Sequence, residues 1–359
     1  VNRKIILGAI IFIAVFIVGS YLVFNPSEKV PNPEEEPKPA ESQETVKDLM
    51  VNESEEIKTL SIPKGIEDNC FGFLVASPDE SKYITKTKFT WVRPHLGPFI
   101  WGEIERSPGK YDWHEIDKWV GETQVNNLVL LATLFPYASW DQDSCRNTSC
   151  EVFSQDGFYN DLPKKRCAPC DYKAYEKFLQ KLVERYDGNG KNDMPGLEIP
   201  IKYYEILNEP DMKDPGLTFF KDSHEDLLKI MKISYETIKA KCPDCTVVQG
   251  GAAGNGDEGE EYWNEMFKLG AYNYFDIANI HFISFGDTDT LNVANFKSLL
   301  DKHNIDKPIW VTEAGLDSES EILSSVNGAF AAGAKKIFFI FHLNYINDRK
   351  RLFINLLNG

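Results

Sequence analysis

From residue 71 onward, short apolar, β-branched and aromatic runs alternate with stretches whose apolar positions recur every three to four residues. The first pattern suits a strand buried on both faces, and the second a helix that lays one side against a sheet. The runs at 71–76, 89–93, 128–134, 202–207, 246–249, 277–281, 308–312 and 336–341 predict eight strands. Between them, Tyr175, Phe178, Leu179, Leu182, Val183 and Tyr186 mark one helical face. Leu227, Ile230, Met231 and Ile238 mark a second, and Val293, Phe296, Leu299 and Leu300 a third. Strand–helix alternation predicts a parallel sheet, and eight strands close it into a (β/α)8 TIM barrel of the α/β class. A doubly wound sheet is the competing arrangement. It would carry a glycine-rich phosphate loop after an early strand, whereas Gly250-Gly251-Ala252-Ala253-Gly254 comes late and lacks an acidic residue about twenty positions further on. These glycines are therefore expected to form a barrel loop.

The N-terminal part is different. After Arg3 and Lys4, residues Ile5 to Phe24 carry no charge over about twenty positions, long enough to cross a bilayer. A single transmembrane anchor is expected over 1–24. A cleaved signal peptide competes, but the run exceeds the usual apolar length and no small-x-small site follows Phe24. Basic residues ahead of the run, with Glu28, Glu34, Glu35 and Glu36 behind it, orient the body of the chain to the outside of the membrane. Residues 25–56, rich in Pro, Glu, Lys and Ser, cannot bury a core and read as an extended linker. The folded domain is expected over 57–359.

Composition narrows the partners. With 42% hydrophobic and 13% aromatic residues among 359, the chain has material for one large core. A formal charge of −16, without a basic patch interleaved with aromatics, excludes nucleic acid and leaves a neutral substrate such as sugar compatible. Seven cysteines in an exported domain suggest disulfides. Cys145/Cys150, Cys167/Cys170 and Cys242/Cys245 are the local pairs, Cys70 is left over, and connectivity stays open. A zinc site at Cys145, Cys150, Cys167 and Cys170 is the alternative. Asn52 and Asn147 stand in N-x-Ser/Thr sequons.

In a barrel of this kind the chemistry gathers at the C-terminal ends of the strands. Two glutamates stand there: Glu209 in Tyr203-Tyr204-Glu205-Ile206-Leu207-Asn208-Glu209-Pro210 and Glu313 in Ile309-Trp310-Val311-Thr312-Glu313-Ala314-Gly315. Cleavage of an acetal needs one carboxyl to protonate the leaving oxygen and another to attack or to activate water, and this pair fits that division. Trp101 and Trp140, after the second and third strands, are candidates to stack on sugar faces. Asp187, Asn189 and Asp193 in Asp187-Gly188-Asn189-Gly190-Lys191-Asn192-Asp193 alternate like ligands of a calcium loop without its distal glutamate, so a structural calcium and a plain Asx turn are both open.

Asn208-Glu209-Pro210 and Thr312-Glu313, together with Trp91-Val92-Arg93-Pro94-His95, the segment from Gly102 to Trp113, and His281, resemble glycoside hydrolase clan A, closest to its family 39-like and family 5-like branches. The resemblance spans residues 71–343. It implies a retaining mechanism without a cofactor, Glu209 as acid/base, Glu313 as nucleophile, and a carbohydrate substrate. It further implies that Asn208 binds the sugar 2-hydroxyl, that Arg93 and His281 line the nucleophile's side of the substrate site, where a cation and an imidazole hold a carboxylate ionised and oriented, and that His95 is a substrate contact. Phe282 and Ile283 after His281, and Phe341 and His342 at the end of the eighth strand, depart from the tyrosine and tryptophan that many clan members carry there. Transglycosylation of surface glycans and non-catalytic sugar binding are the alternative functions.

Overall fold

The computed structural model describes residues 59–152, 162–214, 217–254, 256–283, 286–316, 318–340 and 343–357. The anchor expected over 1–24, the linker over 25–56, and the residues Asn52, Phe341 and His342 lie outside them. Among the described residues no helix is long and apolar enough to cross a membrane.

Eight parallel strands form the barrel: β1 (Phe71–Val75), β2 (Trp91–Pro94), β3 (Val129–Leu134), β4 (Tyr203–Asn208), β5 (Thr246–Gly251), β6 (Ala278–Ile283), β7 (Ile309–Gly315) and β8 (Ala334–Ile340). They pair in the order β5-β4-β3-β2-β1-β8-β7-β6. Bridges from Val248 to Ile277 and from Ala252 to Ile280 join β5 to β6 and close the ring. Every run expected to be a strand is one, with boundaries moved by one to three residues. The glycine cluster differs: Gly250 and Gly251 are the last residues of β5 and only the rest is loop.

Inside the barrel, strand alternation stacks side chains in layers. The lowest layer is apolar, with Trp91, Val129, Val248, Trp310 and Phe338 in one cluster that Tyr203 joins from its edge. Ile62 and Ile66, ahead of β1, pack onto it from below. The next inward positions are polar: Arg93, Thr133, Glu205, Asn279 and Thr312, all buried. The outer helices follow the expected faces. Tyr172–Tyr186 buries all six residues read from the sequence, because their spacing puts them on one stripe against the sheet.

The cysteines pair differently from the local reading. Cys145 joins Cys170 and Cys150 joins Cys167, two nested bridges across the loop after β3, while Cys242–Cys245 is the local pair expected. With all four loop cysteines bonded to each other, the zinc alternative is not the arrangement adopted. Cys70 carries no disulfide.

Candidate active site

The two glutamates reach the barrel mouth by different local distortions. At the end of β4, Leu207 and Glu209 both have positive φ, 68° and 37°. This left-handed strand end carries Asn208 to Arg93 and Glu209 to His281. Gly250 makes it possible, since a Cβ there would lie 2.3 Å from the Ile206 carbonyl oxygen. On the other side the ladder between β6 and β7 slips by one residue, so that His281 stands opposite Glu313.

Arg93 organises the floor. Its Nε donates to Glu205 Oε2, Nη1 to Glu313 Oε1 and Nη2 to Asn208 Oδ1, each at 2.7 Å. Glu205 is in turn held by Thr133, Asn279 and Thr312. A buried charge is tolerated only when paired and hydrogen-bonded, and both ends of this ion pair are saturated. Asn208 Nδ2, by contrast, is buried without a protein partner.

Above the floor, His281 Nδ1 lies 2.8 Å from Glu209 Oε1 and 3.8 Å from Glu313 Oε1. Its Nε2 meets Thr312 Oγ1 at 2.9 Å. His95 Nδ1 stands 3.6 Å from Glu313 Oε1. An oxygen of Glu209, a nitrogen of His281 and an oxygen of Glu313 all fall within 4.8 Å of one another. That donor set could be taken for a metal site. The Arg93 guanidinium bonded to Glu313 argues against it, because a dication there would face a fixed positive charge at close range.

The surroundings push the two carboxyls apart. Burial raises the Glu313 pKa, but His281, His95 and Arg93 together outweigh it and leave the group at about 2. Burial also raises Glu209, and the His281 contact only partly offsets this while Glu313 adds to it. The two carboxyls are thereby displaced in opposite directions, Glu313 down and Glu209 up, the division an acid and a nucleophile need.

Several expected substrate contacts do other work. Arg93 and His281 are fully buried and engaged with the carboxylates, the holding role expected of them on the nucleophile's side. Trp101 is buried as well. Its ring packs among Trp140, Tyr175 and Phe178, and its N–H donates to Glu105 Oε2, which places it in the outer core. Trp140 belongs to the same cluster through its bond to the Glu105 carbonyl but stays partly exposed. Of the expected contacts, Asn208 and His95 remain placed to meet a ligand. The calcium loop folds on itself: Asp187 accepts from the backbone and side chain of Asn189, Asn189 from Lys191, and Asp193 from Gly190. This is the Asx-turn reading, and burial pushes Asp187 up to about 6.

Two site groups escaped the motif reading. Glu205 lies on the inward phase of β4, two residues beyond Tyr203, and strict alternation could have found it. Asp211, just past Glu209-Pro210, is buried and accepts the Ala253 N–H with both oxygens, at 3.1 and 3.0 Å. Nothing in the sequence marks it, because its partner lies on another strand's loop.

No protein-family model and no curated protein sequence matches the chain. Solved structures do. A family 39 glycoside hydrolase from Bacteroides cellulosilyticus aligns at TM-score 0.52 and 18% identity, over 77% of this chain and 57% of that one. A glucosidase from Croceicoccus marinus aligns at TM-score 0.53 and 15% identity, over 79% and 60%. A family 10 endo-β-1,4-xylanase aligns at TM-score 0.51 and 14% identity, over 77% and 87%. The chain thus spans less than two-thirds of the length of the first two. At these identities the likeness is one of fold: the eight-stranded parallel α/β barrel that these glycoside hydrolases also have.

Proposed function

We propose that this protein is a retaining β-glycoside hydrolase acting on neutral oligo- or polysaccharide outside the cell. The observation that carries the proposal is the Glu209–Glu313 pair: oxygens within 4.8 Å and pKa values displaced in opposite directions. A direct water attack requires carboxyls about 6.5–9.5 Å apart, whereas a covalent glycosyl intermediate requires about 5–5.5 Å. In the first step Glu313 attacks the anomeric carbon while Glu209 gives its proton to the departing oxygen. Esterification removes the charge on Glu313 that helped hold the Glu209 proton, so Glu209 now accepts a proton from the water that cleaves the ester. Asn208 Nδ2 is left available to donate to the 2-hydroxyl of the sugar. Two carboxyls supply all the chemistry, and no cofactor enters. Neighbours named as xylanase, glucosidase, mannanase and β-galactosidase favour a carbohydrate substrate.

The test is chromophore release from a panel of aryl β-glycosides by the full chain in detergent. Glu313→Ala should be inactive, and azide should restore Glu209→Ala with retained configuration. Unchanged activity in both variants would sink the assignment. The location is proposed from the uncharged run at Ile5–Phe24 and from the disulfides, which persist in oxidising compartments. Proteolytic shaving of intact cells should then release the barrel; protection from shaving would place it inside.

A further inference from the structure

Glu209 sits in a backbone conformation that its surroundings must hold. Its φ of 37° lies in the left-handed region, and a non-glycine residue stays there only where contacts on several sides fix it. Gly250 leaves room beneath the strand end, and His281 Nδ1 takes the carboxyl at 2.8 Å. The chain beyond Glu209 needs a tie of its own. Pro210 and Asp211 form the middle of a turn closed by the Met212 N–H on the Glu209 carbonyl at 3.0 Å, but that bond lies within the turn and does not attach it to the barrel.

Asp211 supplies the attachment. Its carboxyl is buried, 1% exposed, and both oxygens meet the Ala253 N–H, at 3.1 and 3.0 Å. Ala253 follows Ala252, whose carbonyl accepts the His281 N–H at 2.8 Å and whose N–H donates to the Asn279 carbonyl at 3.1 Å. A closed circuit results. It runs from Glu209 along the chain to Asp211, across to Ala253, back to Ala252, across to His281, and through the imidazole to Glu209. The circuit crosses the seam between β5 and β6, where strand pairing is reduced to isolated bridges, one of them at Ala252. With both oxygens turned to a backbone N–H, Asp211 is committed to the scaffold and is not itself the proton donor. Burial, with Glu209 adding to it, raises its pKa to about 7, so below that pH it is a neutral group whose shape and acceptor an asparagine reproduces.

We infer that Asp211 is a positioning residue for the acid/base: by clamping the turn after Pro210 to the loop after β5, it holds the Glu209 carboxyl in register with His281 and Glu313 without touching substrate. The inference rests on the hydrolase reading above and adds what keeps its acid aimed at the leaving oxygen. A displaced acid has a kinetic signature that general damage to the fold does not share. Phenolate is a poor leaving group and needs the proton of Glu209, whereas 2,4-dinitrophenolate departs without it. Hydrolysis of the glycosyl ester on Glu313 needs Glu209 as base for either substrate.

The probes are phenyl and 2,4-dinitrophenyl β-glycosides of glucose, xylose, mannose and galactose, assayed with the full chain in detergent. For the accepted sugar, Asp211→Ala should lower kcat/KM on the phenyl glycoside about 100-fold, the cost of a misplacement near 1 Å. On the dinitrophenyl glycoside kcat/KM should be nearly unchanged, while kcat and KM fall together because the ester accumulates, and azide should restore kcat. Asp211→Asn, which keeps an oxygen for the Ala253 N–H, should retain most of the phenyl glycoside activity. Should Asp211→Ala fail to fold, Asp211→Ser, whose hydroxyl ends one bond short of the carboxyl oxygens, carries the same comparison. Equal losses on both glycosides, no loss on either, or an asparagine variant as impaired as the alanine one overturns the positioning role and leaves the hydrolase reading intact. Failure of the unaltered chain to cleave any of these glycosides overturns both.

Discussion

Gly251 and His281 are in contact across the closing seam of the barrel: a Cβ added to Gly251 would lie 2.0 Å from His281 Nε2 and 2.4 Å from Cε1. The imidazole that joins Glu209 to Glu313 occupies the space that any other residue would fill. Gly251→Ala must therefore tilt the ring or push β5 away from β6. Overpacking of this kind costs about 1–3 kcal/mol, and a misplacement near 1 Å at a reacting group costs on the order of 100-fold in rate. Thermal unfolding and kcat measured together check both; an alanine variant with native kcat would show that His281 does not position the pair.

Arg93 is expected to be worth more through what it leaves behind than through its own contacts. Arg93→Met strands Glu205 as a buried, uncompensated carboxylate, whereas Glu313 keeps His281 beside it, a loss of about 3–5 kcal/mol. Adding Glu205→Leu should recover most of the stability, because the unpaired charge goes with it. Activity should stay low, since Glu313 still lacks the Nη1 donor that helps hold it ionised. Urea midpoints for the single and double variants, alongside kcat, separate the two effects.

Asp211 predicts a pH dependence of stability. Burial is the main cause that pushes its folded pKa from 3.8 up to about 7, with Glu209 adding to it. The folded state therefore holds a proton that the unfolded chain has already lost across this interval. The contribution is fully present below about pH 4 and is lost as pH rises toward 7, at up to ~1.4 kcal/mol per pH unit. Asp211→Asn keeps an oxygen for the Ala253 N–H and removes the titration. Melting temperatures of the two proteins should converge near pH 4 and diverge as pH rises, with the asparagine variant the more stable at pH 7.

Trp101 separates packing from binding. Trp101→Phe keeps an aromatic ring against Trp140, Tyr175 and Phe178 but leaves Glu105 Oε2 without its indole donor. Stability should fall by about 1–3 kcal/mol with KM unchanged. A rise in KM at unchanged stability would return this residue to the substrate site.

The barrel was legible in the sequence because its information is local. A strand buried on both faces must be apolar along its length, a helix on the sheet must carry a stripe, and eight such units close in one way. Glu209 and Glu313 were legible for the same reason, since each sits where a run of strand residues ends. Arg93 was expected to hold a carboxylate on the nucleophile's side, but its full set of partners was not legible. Its three partners lie on β4 and β7, 112, 115 and 220 positions away in the chain, and only closure of the ring brings them together. The nested disulfides depend likewise on how the loop after β3 folds back, which spacing alone does not encode. Trp101 was misplaced because an indole after a strand reads the same whether it faces the mouth or the outer helices; the direction is set by backbone geometry. Periodicity thus determined which residues are buried and in what order the strands come. The tertiary structure decided which buried charges meet, because electrostatic pairing depends on distance in space and the chain records only distance along itself.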